Sequence, residues 1–192
     1  MLLYKTGSYF SPMELCRLRL PIPWIFTLAA PDRGTGYVYY DGTNWGSAPT
    51  SRVESSRVGW PSILGVGNGE YITAHNTDSS HITRNLRPVK GTGAWSEAQA
   101  SPLYIIWNRT AVGGPTGNTV HMIGVTAPVA NGGVVFQGLD GALLYWRSTD
   151  GGLTWDTNAI ILPGMTSNEF NGFDGDSYAI TAKDKRRGHC CF

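Results

Sequence analysis

The chain has 192 residues, a formal net charge of +1, 15% charged and 11% aromatic residues, 25 glycines and 11 prolines, which together describe a turn-rich β protein. Its few lysines and arginines are scattered, which argues against a nucleic-acid surface, and no run of 18 apolar residues offers a membrane-spanning helix. Three cysteines, Cys16, Cys190 and Cys191, all lie outside the regular middle of the chain and form no disulfide framework for it.

In chain order, residues 1–31 form an atypical leader without strand pattern. Within it Leu18 to Ala30 is an apolar run ending in small residues, readable as a degraded secretory signal, although two prolines and the long stretch before it count against that. Short strand-like runs bounded by turn residues then follow: Gly36 to Tyr40, a weaker one near Arg52 to Ser55, and a set of four at Ser62 to Val66, Tyr71 to His75, His81 to Leu86 and Trp95 to Gln99. A second set of four is expected at Pro102 to Trp107, Thr119 to Val125, Ala142 to Ser148 and Thr154 to Leu162. The beginning of another set spans Asn171 to Ala182, and no amphipathic helix is visible. Residues 183–192 are abruptly basic from Lys183 to Arg187, and Lys185 to Phe192 is expected to be too short and too basic to supply further partner strands. One account of both ends is a piece of a longer gene with out-of-frame or artificial termini.

Two markers recur along the middle of the chain. Glycine turns run into Trp45, Trp95 and Trp155, at intervals of 50 and 60 residues. Glycine turns also open apolar runs at Gly69, Gly117 and Gly175, at intervals of 48 and 58. Both lengthen by ten in the second period, and Thr126 to Asp140 is the natural place for one insertion. Four strands every 48 to 60 residues with a turn at a fixed place favour blades of a β-propeller over a sandwich.

Ser148-Thr149-Asp150-Gly151-Gly152-Leu153-Thr154-Trp155 has the form Ser-x-Asp-x-Gly-x-x-Trp, with Ser148, Asp150, Gly152 and Trp155 in the fixed places. A short Asp side chain can accept bonds from backbone N–H groups ahead of it, and glycines reach positive φ without strain, so the segment makes a good hairpin loop. It resembles the Asp-box of the sialidase-like (BNR-repeat) superfamily, where the loop joins the third and fourth strands of a propeller blade, faces away from the ligand side and is structural. Residues 32–182 thus resemble part of a secreted or surface-exposed bacterial propeller protein of the Bacteroidetes type. Arg57 to Ser62 and Thr126 to Gly133 share that character. A six-bladed parent would need roughly 300 to 360 residues, so the resemblance implies about two and a half blades. An incomplete ring implies open strand edges, marginal stability and self-association.

The same resemblance implies what chemistry to look for. Sialidases use a Tyr nucleophile helped by a Glu and a further Asp as acid/base, with three arginines holding the substrate carboxylate. No Tyr/Glu pair or arginine triad can be assigned here, so no catalytic residue is named and no release of sialic acid from a sialoside is expected. Arg19, in Arg19-Leu20-Pro21, is the closest match to the family's Arg-Ile-Pro motif. Arg57 stands at the entrance to an expected innermost strand, where it is either a channel-facing group or an exposed, salt-bridged arginine. Trp45, Trp95 and Trp155 recur with the blades and read as structural, which leaves Trp60, Trp107 and Trp146 as candidate sugar-stacking platforms. Arg109 and Arg147 flank strands without a matching motif.

His75, His81 and His121 lack the close spacing of a zinc site and read as packed or surface residues. Asp140 and Asp174 to Asp176 read as turn acids rather than calcium ligands, so neither a metal nor a cofactor is expected. Asn108-Arg109-Thr110 fits a glycosylation sequon that a bacterial origin would leave idle. The expected function is a non-catalytic propeller module of an exported protein, binding a glycan or a cell-surface protein or serving as a structural segment. The alternative is an exo-acting sialidase or related glycoside hydrolase.

Overall fold

A computed structural model describes residues 33–192 apart from 77, 79, 80, 102, 176, 184–187 and 192. The fold is all-β. Two four-stranded antiparallel sheets follow one another, each with its strands in sequence order: β1 (Val58–Val66), β2 (Gly69–Asn76), β3 (His81–Arg87) and β4 (Ser96–Ser101), then β5 (Ile105–Gly113), β6 (Thr119–Thr126), β7 (Leu143–Ser148) and β8 (Thr157–Ile161). A third, two-stranded sheet pairs β9 (Ala179–Ala182) with β10 (Gly188–Cys191). Among the described residues no helix is long and apolar enough to cross a membrane.

The two large sheets repeat one plan. In each, eight residues join the third strand to the fourth (88–95 and 149–156). The second-to-third connections differ, 77–80 against 127–142, so the expected insertion lies in the latter, where a 3₁₀ turn covers Val129–Asn131. Burial follows position in the sheet. Both second strands are buried along almost their whole length, as strands covered on both faces must be, whereas β8 alternates and the first half of β4 is mostly exposed.

Sheet two has apolar packing on both faces. On one side Ile82 and Ala100 of the first sheet join Ile105, Met122, Leu144 and Trp146 in one core cluster. On the other, Ile123, Val125 and Leu143 pack with Met165, Tyr178 and Ile180 at the start of the next unit. β5 packs against β1 and β2, and β9 packs in the same way against β5 and β6. Successive turns are linked too: Gly67 N–H donates to Gly117 O at 3.3 Å, and Gly114 N–H to Lys183 O at 3.2 Å.

Several expectations need correction. β5 runs on from Ile105 to Gly113, and β1 begins at Val58 rather than Ser62. Both differences come from the same device. Each first strand carries a bulge, between Gly59 and Ser62 in β1 and between Ile106 and Arg109 in β5, so polar or proline residues that look like a strand end are accommodated inside the strand.

Within the segment expected to be too short and too basic for this, Gly188–Cys191 does supply a partner strand, pairing antiparallel with β9 in a four-residue ladder. Backbone pairing needs N–H and C=O groups, which a basic segment has like any other. Gly175 does not correspond to Gly69 and Gly117, because those open second strands whereas Gly175 precedes a strand that packs as a first one. The second marker's matched spacing is therefore coincidental.

The runs at 36–40 and 52–55 form no ladder; only an isolated bridge pairs Tyr40 with Trp45. There the Glu54 carboxylate accepts the Thr35 N–H at 2.9 Å, taking a donor a ladder would need. Met1 to Ala29, expected to be disordered, lies outside the described residues, as does Arg19.

Candidate functional site

The segment 148–155 is the hairpin tip between β7 and β8, as expected. Asp150 accepts from the Ser148 hydroxyl at 2.7 Å, from Leu153 N–H at 3.0 Å, and from the N–H and hydroxyl of Thr154. Gly152 sits at φ 87° with its N–H bonded to Ser148 Oγ at 2.8 Å, and a Cβ there would strike the ring of Tyr71. Trp155, half-buried, donates from Nε1 to Ala100 O at 2.6 Å. Arg84 of β3 reaches the carbonyls of Gly152 and Leu153. The loop thus joins one sheet to the next. Asp41 repeats the motif in miniature, accepting from Thr43 and Asn44 N–H at 2.7 Å each.

Burial works against the Asp150 charge, but the bonds from Thr154, Ser148 and Leu153 outweigh it and hold the carboxyl at about 2. A depressed carboxyl stabilises the fold above its unfolded value of 3.8, and that contribution is lost as pH falls through about 2. Denaturant midpoints measured from pH 5 to 2 should therefore fall more steeply for the native chain than for Asp150→Asn. Parallel curves would remove Asp150 from the acid response.

A different constellation occupies the opposite end of the sheets. Trp60 and Trp107 stand at the two equivalent bulges, with φ 49° and 53°, values a bulky residue rarely adopts. Gln137 and Ala159 share positive φ, but only the two tryptophans come together, their ring centroids 6.3 Å apart. His75 stacks on Trp60 at 5.4 Å and accepts the Trp107 N–H on Nδ1 at 3.0 Å. The cleft they form has a volume of about 160 Å³ and is also lined by Asn76, Tyr104, Ile106 and Asn131. Tyr104 Oη donates to Asn131 O at 3.1 Å, which ties the long β6–β7 connection to the cleft rim.

The electrostatics here are one-sided. Burial, then Arg33, Arg57 and Arg109, depress His75 to about 4. Arg57, half-buried before β1, is near enough to His75 for its charge to lower the imidazole. Arg33 packs its guanidinium 5.7 Å from the Trp60 ring centre and donates from Nε to Val58 O at 3.0 Å. Arg109 donates to Gly175 O at 3.1 Å.

The remaining candidates lie elsewhere. Trp146 is fully buried in the core cluster and cannot be a platform. Asn108 is fully buried and donates to Thr73 Oγ1 at 2.9 Å, so its sequon presents no acceptor at the surface. Arg147 pairs with Asp156 at 2.7 Å beside the hairpin tip, far from the cleft.

A Tyr/Glu pair does exist, Tyr37 donating to Glu70 at 2.6 Å. Glu70 is engaged by the buried Arg87, and burial followed by Glu70 raises Tyr37 above the ordinary phenol range. That is the wrong direction for a nucleophile. Glu70 and His75 are five residues apart on β2, about 16 Å at ~3.3 Å per residue.

Arg33 was missed by sequence reasoning because it precedes every recognisable strand. His75 was set aside for want of a spaced partner, whereas its partners are a backbone N–H and an indole. A signal for Trp107 was present in the 47-residue interval from Trp60. No protein-family model matches the chain, and no curated protein matches it.

Proposed function

We propose that the chain is a non-catalytic ligand-binding module built from propeller blades of the sialidase-like, Asp-box type, belonging to an exported or surface-exposed bacterial protein, and that it binds a glycan in the Trp60–Trp107 cleft. The observation that carries this reading is the pair of strained tryptophans at equivalent bulges, converging on one cleft. Backbone strain of this kind persists where the surroundings over-determine it, and it clusters at ligand sites. Half-buried indole rings at the wall of a cleft offer flat apolar area with low entropy cost on binding. A cleft of about 160 Å³ is small beside the roughly 300–1,000 Å³ pockets of drug-sized ligands, so one ring or one terminal group is the natural occupant. The blade reading is supported by the repeated strand plan, by β5 and β9 packing alike on the sheet before them, and by the position of the Asp150 hairpin away from the cleft.

Quenching of indole fluorescence by a panel of neutral and acidic monosaccharides and short oligosaccharides tests it. Saturable quenching is expected for at least one sugar, at least tenfold weaker in Trp60→Ala and Trp107→Ala. No sugar response at millimolar concentration, or an undiminished one in both variants with far-UV dichroism unchanged, would sink the reading.

One observation favours the hydrolase alternative, the gathering of Arg33, Arg57 and Arg109 around His75. Against it stands the placement of Tyr37 and Glu70 at the far end of β2. Turnover of a fluorogenic sialoside that disappears in Arg57→Ala would reverse that judgement.

A further inference from the structure

The joint between the two large sheets consists of a knob and a seat. The knob is the Asp150 hairpin of the second sheet: Gly152 lies against the Tyr71 ring, the Gly152 and Leu153 carbonyls accept from Arg84, and Trp155 donates to Ala100 O. The seat is the face of the first sheet that carries Tyr71, Arg84 and Ala100.

The repeated strand plan places a second seat on the second sheet. Just past each bulge Ser62 pairs with Thr73 and Arg109 with Ile123, and in the next ladder Thr73 pairs with Arg84 and Ile123 with Tyr145. Tyr145 thus stands where Arg84 stands, and His121, two residues before Ile123, where Tyr71 stands. Across the last ladder Ile160 pairs with Tyr145 as Ala98 pairs with Arg84. His121 Nδ1 and Tyr145 Oη share a 2.7 Å hydrogen bond, their rings stacked 6.0 Å apart. Ile160, in the row that the repeat puts beside a hairpin, is 42% exposed.

A second knob is likewise unseated. Asp41 accepts the Thr43 and Asn44 N–H groups, Tyr40 bridges to Trp45 with the two rings 5.1 Å apart, and Trp45 is 47% exposed. Single exposed apolar residues are ordinary. These two, however, stand on opposite sides of a joint that the chain closes once within itself.

We propose that the Asp41–Trp45 hairpin of one copy seats on the His121–Tyr145–Ile160 face of a second copy, as the Asp150 hairpin seats on the first sheet. The contact is heterologous, knob to seat, so it either closes into a ring or runs on. Trp45 is its anchor, since aromatic side chains set into a well-packed site carry most of the energy of such contacts. Among the described residues the adjoining β9–β10 sheet has two strands against four in each sheet before it, which leaves β10 an unpaired edge for the strands of the incoming hairpin. The inference rests on the repeated strand plan and not on the Trp60–Trp107 cleft, so sugar binding and self-association stand or fall separately.

Sedimentation equilibrium of the whole chain tests it. The mass should rise with concentration from that of one chain to that of two or more. Trp45→Arg and Ile160→Arg, both at exposed positions and with far-UV dichroism unchanged, should each raise the concentration of half-association at least tenfold. Mixed in equal amounts, the two variants should pair where neither associates alone, because each keeps the half of the joint that the other has lost. Trp45→Thr and Ile160→Thr replace any arginine variant that does not fold. A chain that stays monomeric overturns the proposal, as does association that either variant leaves intact. A mixture that does not pair also overturns it, since the contact would then join like faces rather than knob and seat.

Discussion

Replacing Glu70 by alanine is expected to cost about 3 to 5 kcal/mol, the range for breaking a buried ion pair by removing one partner. Glu70 is 1% exposed and Arg87 6%, and the carboxylate takes both the Arg87 Nε and Nη2 groups. It also accepts from Tyr37 Oη at 2.6 Å and from Gly91 N–H at 3.2 Å. The Arg87 guanidinium lies against the rings of Tyr37 and Trp95, 4.5 and 4.4 Å from their centres, so it stays buried once its anion is gone.

Urea midpoints with slopes should report the loss directly. Exchanging both partners for apolar residues, as in Glu70→Leu with Arg87→Met, should recover most of it, because no buried charge then remains. A single-variant loss below about 1 kcal/mol would mean that water reaches Arg87 and that the segment 33–57 is not docked as described.

Trp155→Ala should cost about 2 to 4 kcal/mol. The reference is the roughly 3 to 5 kcal/mol seen for fully buried large aromatics, lowered because Trp155 is half-buried and joined by loss of its 2.6 Å bond to Ala100 O. The ring packs against the cluster shared by both sheets, so the damage should spread across the interface rather than stay in the loop. Hydrogen exchange would show this as faster exchange in β4 as well as in β8. Acceleration confined to residues 149–156 would make the loop an independent ornament.

What could be read from residue pattern was the strand plan, because glycine turns and short apolar runs recur with the period of the fold. The Asp150 hairpin was readable in detail, since its bonds are local and run between residues at most four apart. The bulges were not. Pro61 and Asn108 resemble strand ends, and only the pairing of Gly59 with His75 and of Ile106 with Val125 reveals that the strands continue. The cleft was half visible: Trp60 and Trp107 stood out as tryptophans outside the recurring set, but Arg33, His75 and Trp107 join Trp60 only through contacts 15 to 47 residues apart, which no local pattern encodes. The β9–β10 pair was hidden by charge, since a run of lysine and arginine marks a solvated segment without forbidding a strand beyond it.

The long β6–β7 connection is where one unit differs most from its predecessor, and it is also where Asn131 borders the cleft. Unit is held to unit at both ends, through Gly67, Gly117, Gly114, Lys183 and Gly152 on one side and through the Trp107 N–H on His75 at the cleft itself. Leu139, inside the same connection, is fully buried in the core cluster that both sheets share. The stretch that borders the cleft therefore also closes the seam between the sheets. A change in its length would be felt twice, once in the outline of the cleft wall and once in the grip of one sheet on the next.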